Sequence, residues 1–317
     1  MIKAILEKIE TGRRFLVASH ESPDGDAMAS TLALTNFLRE CGKEVLAYNR
    51  DGVPQDYAFL PGAESLVSEI PAGSTFDVGF VLDAGELRRA GAHLKDFCQS
   101  LVNIDHHPFS ENFGDVYYVD EEASATGAMI YRLVKASGRP LSQKVALCVY
   151  TAILADTGSF RYSNANPEAF TTAAEMVACG VNPWDVASSL YESQDEKRLR
   201  LLAQALATLT VSSCGRYASV AVTQAMYDQS RAGAEHTDGF VNYPRSVRGV
   251  EVAIFFRQVS AAAFKVGFRS KGRIDVGALS REFGGGGHYN AAGAVVDGTL
   301  DEVRDTVFSR LDSLLAG

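Results

Sequence analysis

Short apolar runs alternate with amphipathic segments along the first half of the 317-residue chain. The runs are rich in β-branched and aromatic residues and are bounded by Gly, Pro or charged residues, which is typical of buried strands. The predicted strands are residues 15–19, 45–48, 78–83 and 101–105. The amphipathic segments predict helices over residues 26–41, 126–137, 141–156, 167–179 and 184–209.

Strands that alternate with helices predict a parallel sheet with helices on both faces. Ligands of such sheets bind beyond the carboxyl ends of the strands. His20, Asp83 and Asp105 each lie at or just after the carboxyl end of a predicted strand. The pattern therefore predicts one site at this edge of the sheet.

The pattern changes after Gly215, where strands with alternating polarity are predicted at residues 217–222, 251–258 and 263–269. A short helix at 274–283, a run of four glycines and a closing helix at 300–315 follow. We predict two domains, a larger one at residues 1–185 and a smaller α/β domain at 211–317. A polar helical linker at 186–210 joins them.

Composition indicates a globular protein, with 46% hydrophobic and 22% charged residues. The sequence contains no run of 18 apolar residues, so it predicts no membrane span. The first 14 residues lack the apolar core of a signal peptide. The five cysteines are odd in number and form no CxxC pair, which argues against a disulfide framework or a zinc cluster. We therefore expect a cytoplasmic protein that does not engage a membrane.

The net charge of −9 is unevenly distributed. Residues 1–210 carry 18 Lys and Arg against 28 Asp and Glu, whereas residues 211–317 carry 12 against 11. Long nucleic acids need a broad basic surface, so the charge disfavours them as partners. The charge is still compatible with a small anionic substrate that binds at a local site.

The sharpest motif is His20-Glu-Ser-Pro-Asp24-Gly-Asp26, in which a predicted strand leads into a Pro-Asp-Gly turn. Both aspartates are expected in that turn, before the next helix begins. Their interpretation as an Asx turn and an Asp26 helix cap competes with metal binding. The nearby histidine and the position at a strand end favour metal.

Three further segments carry acids or histidines at element ends: Asp83, Asp105-His106-His107, and Asp156 before Thr157-Gly158. Each taken alone could be a helix cap, a salt bridge or a loop residue. Taken together, mixed His and Asp ligands suit a hard divalent ion, with manganese favoured over magnesium, cobalt or iron and with zinc left open. Two ions about 4 Å apart would share a bridging carboxylate and clamp a phosphoryl group.

These residues, in this order, resemble the motifs of the DHH phosphoesterase superfamily, which is named for its Asp-His-His motif. Gly284–Gly287 with His288, followed by Asn290-Ala-Ala-Gly293, resembles the companion DHHA1 domain. The resemblance covers nearly the whole chain. It is greatest to the stand-alone, NrnA-type group of oligoribonucleases and 3′-phosphoadenosine-5′-phosphate phosphatases.

The resemblance implies a role for each matching residue. One ion would be bound by His20, Asp24 and Asp83, and a second by Asp26, Asp83, His106 and Asp156, so that Asp83 bridges. His107 would face the scissile phosphate, and Asp105 would orient a ligand histidine. In the second domain, the implied substrate contacts are Arg269, Ser270, Gly286, Gly287 and His288. The glycine run by itself is more readily interpreted as a flexible loop.

The expected activity is hydrolysis of short RNA to 5′-mononucleotides and of 3′-phosphoadenosine-5′-phosphate to AMP, in a cleft that excludes duplex. Phosphodiesterase activity on pApA or cyclic di-AMP is an alternative from the same site. The alternative outside the enzymes is a non-catalytic regulator that binds nucleotides. Loss of catalysis should have changed at least one metal ligand, and every expected ligand is present. The oligomeric state is open, with a homodimer as one option.

Overall fold

The computed structural model describes residues 1–315, except for the side chain of His288, of which only the backbone is described. The chain forms two compact units, Met1–Ser193 and Gln194–Gly317. Each unit contains its own sheet, and the first sheet is entirely parallel, so the predicted α/β class is confirmed. Among the described residues, no helix is both long and apolar enough to cross a membrane.

The sheet of the first unit has five strands in the order β2-β1-β3-β4-β5, and every pairing is parallel. The strands are β1 Arg14–Ser19, β2 Glu44–Tyr48, β3 Val78–Leu82, β4 Leu101–Asp105 and β5 Val116–Val119. The sequence predicted the first four, because their apolar runs are mostly buried. It missed β5, which lies at the edge of the sheet and is only partly buried.

Helices cover both faces of this sheet, as predicted. Seven lie in the first unit: α1 Ile2–Thr11, α2 Gly25–Glu40, α3 Leu87–Ala90, α4 Thr126–Ala136, α5 Gln143–Asp156, α6 Pro167–Ala178 and α7 Pro183–Tyr191. Alternate strand residues face opposite sides. Phe15 and Phe80 belong to the core beneath α2, α4 and α5. Leu16 and Val81 pack on the other face with Leu87 of α3.

Small residues let the helices around the site approach closely. A Cβ atom added to Gly127 of α4 would lie 2.4 Å from the Cβ of Ala152 in α5. One added to Gly25 of α2 would lie 2.4 Å from the Cβ of Ala155. Real Cβ contacts are never this short, so α2 and α4 can only pack on α5 here because both residues are glycine.

The second unit begins with α8 Glu196–Ala207 and contains a six-stranded sheet in the order β10-β11-β9-β8-β7-β6. Only the β7–β8 pairing is parallel. Its strands are β6 Thr210–Val211, β7 Tyr217–Val222, β8 Val252–Ser260, β9 Ala263–Ser270, β10 Gly286–His288 and β11 Ala291–Asp297. Its other helices are α9 Gln224–Ser230, α10 Asn242–Ser246, α11 Val276–Glu282 and α12 Leu300–Leu315. The core packs Phe256 and Phe268 against Val307 and Leu311.

Two local predictions were wrong. The single helix predicted over 184–209 is two helices, because the chain leaves α7 at Tyr191 and Asp195 caps α8 by accepting the N–H of Lys197. Asp26 is not in a turn, since α2 begins at Gly25 with Asp24 as its N-cap. The last two glycines of the run, Gly286 and Gly287, are paired in β10, so the alternative of a flexible loop does not apply to them.

Candidate metal centre

His20 follows the end of β1 and is almost fully buried. Its Nδ1 lies 2.7 Å from the carbonyl oxygen of Glu21, which can only accept, so Nδ1 carries the proton. The unprotonated Nε2 then faces two carboxylates, 3.9 Å from Oδ2 of Asp24 and 3.7 Å from Oδ2 of Asp83. A histidine held in this tautomer by a backbone carbonyl is a typical metal ligand.

The two aspartates of the first motif have different surroundings. Asp24 is the most exposed member of the cluster, and one oxygen caps α2 by accepting the N–H of Ala27. Asp26 lies in the first turn of α2 and is buried. Its carboxylate accepts hydrogen bonds from the hydroxyl of Ser30 at 2.7 Å and from the N–H groups of Thr126 at 2.6 Å and Gly127 at 3.0 Å.

Asp83 follows β3 with a φ of 57°, in the left-handed region that Asp and Asn tolerate better than most residues. Its N–H still donates to the carbonyl of Ile104 at 3.0 Å, which fixes the carboxylate beyond the sheet edge. The two carboxylate oxygens point at different histidines. Oδ2 faces His20, whereas Oδ1 lies 3.5 Å from Nε2 of His106 and accepts the hydroxyl of Thr126 at 3.0 Å.

His106 is oriented in the same way as His20. Its Nδ1 donates to the carbonyl oxygen of Ala123 at 3.1 Å. Its Nε2 therefore faces three carboxylates, 3.5 Å from Asp83, 3.6 Å from Asp26 and 3.7 Å from Asp156.

Asp156 is the last residue of α5, and its Oδ2 accepts a hydrogen bond from Nδ2 of Asn164 at 2.9 Å. The same amide group reaches the carbonyl oxygens of Ser124 at 3.0 Å and of Asp156 at 3.2 Å. Asn164 thus ties the carboxylate to the segment before α4. Sequence reasoning missed it, because an asparagine in a loop carries no signal of what it contacts.

Asp105 is fully buried and serves His107 rather than His106, which differs from the expectation that it orients a ligand histidine. Its Oδ1 accepts Nδ1 of His107 at 2.8 Å, and its Oδ2 accepts Ser110 Oγ at 2.5 Å and the N–H of Gly85 at 2.7 Å. Burial alone would raise the pKa of Asp105, but these hydrogen bonds outweigh it and lower the pKa to about 2. Burial lowers the pKa of His107, and the bond to Asp105 more than reverses this, so that pKa is raised.

The carboxylates of Asp83 and Asp156 lack a comparable counter-charge. Burial, followed by the repulsion of neighbouring aspartates, raises the pKa of Asp83 well above its usual value. Burial and the charge of Asp26 raise the pKa of Asp156 to about 7. Clustered acids of this kind are expensive to keep ionised unless cations are held between them.

The donor atoms fit divalent ions. They form three groups in which the ligand atoms lie within 4.8 Å of one another. The groups are His20, Asp24 and Asp83; Asp26, His106 and Asp156; and Asp83, His106 and His107. The separations of 3.5 to 3.9 Å quoted above exceed an ordinary hydrogen bond. Two donors about 2.1 Å from one ion lie roughly 3.0–3.4 Å apart, so small shifts suffice for coordination.

The predicted substrate contacts lie at one end of the second sheet. Arg269 and Ser270 end β9, and the register of the sheet aligns the backbones of Arg269, Ala291 and His288 in one row. Ser270 Oγ donates to Oδ1 of Asn290 at 2.8 Å. Burial lowers the pKa of the Arg269 guanidinium. Gly286 and Gly287 lie in β10 of the same sheet, and the His288 side chain lies outside the described residues.

Two family models match the chain, the DHH family N-terminal domain over residues 14–153 and the DHHA1 domain over residues 217–316. The bifunctional oligoribonuclease and PAP phosphatase NrnA of Thermus thermophilus is 34% identical over 297 residues, which is 92% of this chain and 87% of that protein. A probable manganese-dependent inorganic pyrophosphatase of Enterococcus faecalis is 27% identical over 156 residues, 47% of this chain and 49% of that protein.

A solved structure extends the likeness to the whole fold. The exopolyphosphatase-related protein of Bacteroides fragilis superposes with a TM-score of 0.93 at 28% identity, covering 100% of this chain and 97% of that one. Every residue of the expected motifs is present, and the structure brings the acids and histidines of the first unit together. The chain belongs to the DHH family of phosphoesterases and combines a DHH domain with a DHHA1 domain.

Proposed function

We propose that this phosphoesterase uses two metal ions to hydrolyse short oligoribonucleotides to 5′-mononucleotides and 3′-phosphoadenosine-5′-phosphate to AMP. The observation that carries the two-metal assignment is the carboxylate of Asp83. Its two oxygens face two different histidines, His20 and His106, each of which presents an unprotonated nitrogen. A carboxylate placed in this way can bridge two ions.

The first ion would be held by His20, Asp24 and Asp83, and the second by Asp26, Asp83, His106 and Asp156. Histidine and carboxylate ligands suit manganese, and the related pyrophosphatase is named as manganese-dependent. When bound, such ions would lower the pKa of a water molecule that they bind and would stabilise the charge that develops on a phosphoryl group.

His107 would act on the leaving oxygen. Asp105 accepts the proton-bearing Nδ1 of His107 and raises its pKa, which favours the protonated ring. The other ring nitrogen, Nε2, then carries a proton that the ring can donate to the oxygen leaving phosphorus. Asp105 keeps the ring oriented, and Ser110 with the Gly85 N–H keeps Asp105 oriented.

The substrate class rests on the second unit and on the relatives. Arg269, Ser270, Gly286, Gly287 and His288 would bind the nucleotide, since arginine, serine and backbone N–H groups recognise phosphate well. The Thermus thermophilus relative is named for oligoribonuclease and PAP phosphatase activity. The acidic first unit disfavours long or duplex nucleic acid. The free cysteines fit a reducing cytoplasm.

The test is turnover by the manganese-loaded protein on a panel of di- to pentaribonucleotides, 3′-phosphoadenosine-5′-phosphate, pApA and cyclic di-AMP. Asp83→Asn keeps a side chain that tolerates the left-handed backbone but loses the charge that would bridge the ions. We expect it to lower kcat by about 10²- to 10³-fold or more.

Asp96→Asn is the matched control, because Asp96 is exposed in the same unit. Wild-type activity in Asp83→Asn would remove the bridging role. Preference for cyclic di-AMP or pApA over short RNA would replace the proposed substrate by a dinucleotide.

A further inference from the structure

Arg89 lies beside the metal centre and has no part in the roles assigned above. It belongs to α3, which begins four residues after Asp83. Its guanidinium Nη1 donates to the carbonyl oxygen of Ala84 at 3.1 Å, so the charged group lies against the residue that follows Asp83. Its own carbonyl oxygen accepts the N–H of Glu21, next to His20, at 2.8 Å. Arg89 is therefore fixed between two segments that carry expected metal ligands.

Among the described residues, the charge of Arg89 has no acidic partner, whereas the charges of Arg88 and Arg50 are paired. Arg88 pairs with Glu86, and Arg50 pairs with Glu21 at 2.8 Å. Within the described part of the chain, Arg89 forms no ion pair. A half-buried guanidinium with one hydrogen bond still has several N–H donors to satisfy, and an anion satisfies them best.

The guanidinium of Arg89 also lies close to the segment that orients His107. A Cβ atom built on Gly85 would lie 3.8 Å from Nη1 of Arg89. The N–H of Gly85 donates to Asp105 at 2.7 Å, and Asp105 in turn binds the ring of His107. The charged group is thus fixed beside the residues that follow Asp83 and that position His107.

Resting on the proposed function, we infer that Arg89 is a catalytic residue that binds the non-bridging oxygens of the scissile phosphate. The planar fork of an arginine matches two oxygens of one phosphoryl group. Its fixed positive charge stabilises the negative charge that accumulates on those oxygens as the ester bond breaks. A contact to this phosphate acts on every phosphoester substrate, whatever the nucleoside attached.

Arg89 could instead only balance the charge of the acidic cluster. Both roles predict the same result for metal binding. Removing a positive charge beside the carboxylates leaves manganese affinity unchanged or tighter, by Coulomb's law. A phosphate contact, in contrast, is lost directly when the guanidinium is removed. Phosphate affinity of the metal-loaded protein therefore separates the two roles without any measurement of turnover.

The experiment compares Arg89→Gln and Arg89→Lys with Arg88→Gln in the full chain loaded with manganese. Arg88 is the matched control because it is the adjacent, exposed arginine of the same helix. Calorimetric titrations with manganese and then with inorganic phosphate measure both affinities. Turnover of bis(p-nitrophenyl) phosphate, whose one phosphate is the scissile one, measures kcat.

For Arg89→Gln we expect undiminished manganese affinity, phosphate affinity weaker by about 10-fold, and kcat lower by about 10²-fold. The phosphate affinity and kcat of Arg89→Lys should lie between those of wild type and Arg89→Gln. Arg89→Lys serves as the test if Arg89→Gln fails to fold. Arg88→Gln should match wild type.

Unchanged phosphate affinity in Arg89→Gln would overturn the inference. A loss of kcat that affects only substrates with a second phosphate would also overturn it. An inactive wild type would instead refute the proposed function, and the phosphate titration would still report on Arg89.

Discussion

At the scale of residues, the clustered acids and histidines of the candidate site are held by polar partners from distant segments. The acids and histidines stand at strand and helix ends, where the spacing of the motifs identifies them in the sequence. Their polar partners belong to no motif. Thr126, which bonds Asp83, and Asn164, which bonds Asp156, are ordinary polar residues whose contacts depend on packing between distant segments. Thr126 lies 43 residues from Asp83 along the chain.

Thr126→Val tests this supporting layer, because valine has nearly the same shape and lacks the hydroxyl that donates to Asp83. We expect kcat to fall by roughly 10- to 100-fold, with weaker manganese binding, since partners of metal ligands have effects of this size. Steady-state kinetics and manganese titration measure both. Thr126→Ser keeps the hydroxyl and should retain most of the activity, so an equal loss in both variants would contradict the role of the hydrogen bond.

At the scale of elements, the sequence predicted strands correctly where a buried strand appears as an uninterrupted run of apolar residues. The strands that deliver His20, Asp83 and Asp105 are short runs of buried apolar residues. The prediction failed where contacts between distant residues decide whether a helix ends or a strand forms. The helix break after Tyr191 depends on the cap at Asp195, and the pairing of β10 depends on β11. A run of glycines has no side-chain pattern that could indicate a strand.

Gly127→Ala tests the close approach of α4 to α5. The added methyl group would lie 2.4 Å from the Cβ of Ala152, so the helices must separate. We expect the free energy of unfolding to fall by about 1–3 kcal/mol in urea denaturation. Ala152→Gly removes the opposing methyl group. The free energy of unfolding of the double variant should therefore fall by less than the sum of the decreases in the two single variants. Strict additivity would show that this contact does not limit the packing.

Asp77 joins the start of β1 to the segment before β3 by accepting the N–H groups of Arg13 at 2.7 Å and Arg14 at 2.9 Å. These bonds lower the pKa of Asp77. A carboxyl group whose pKa is lower in the folded state stabilises the fold above its unfolded pKa of about 3.9, and that stabilisation is lost as the pH falls through the folded pKa.

Asp77→Asn should therefore lower the melting temperature at pH 7, and the difference from wild type should shrink as the pH falls below about 4. Thermal unfolding measured between pH 3 and 7 checks this, with the exposed Asp96→Asn as control. A difference that stays constant with pH would show that the charge of Asp77 is not involved.

At the scale of the whole molecule, the expected metal ligands all belong to the unit Met1–Ser193. A ligand that binds only the folded state stabilises it, by about 2.7 kcal/mol at 100 times its dissociation constant. Manganese should then raise the melting temperature of this unit by about 5–10 °C. Calorimetry with manganese and with EDTA measures the shift, and Asp83→Asn should show much less of it. An equal shift in that variant would mean that the metal binds elsewhere.

The carboxylate of Asp26 also has a consequence for how the chain folds. Helix α4 has no capping side chain of its own at Ala125, and its first N–H groups donate instead to Asp26, 100 residues earlier in the chain. The end of α4 is therefore completed only when two distant segments have met, which makes the helix depend on long-range closure rather than on local propensity. The first turn of α4 should open to hydrogen exchange only together with α2, which would make the candidate metal centre part of one cooperative unit.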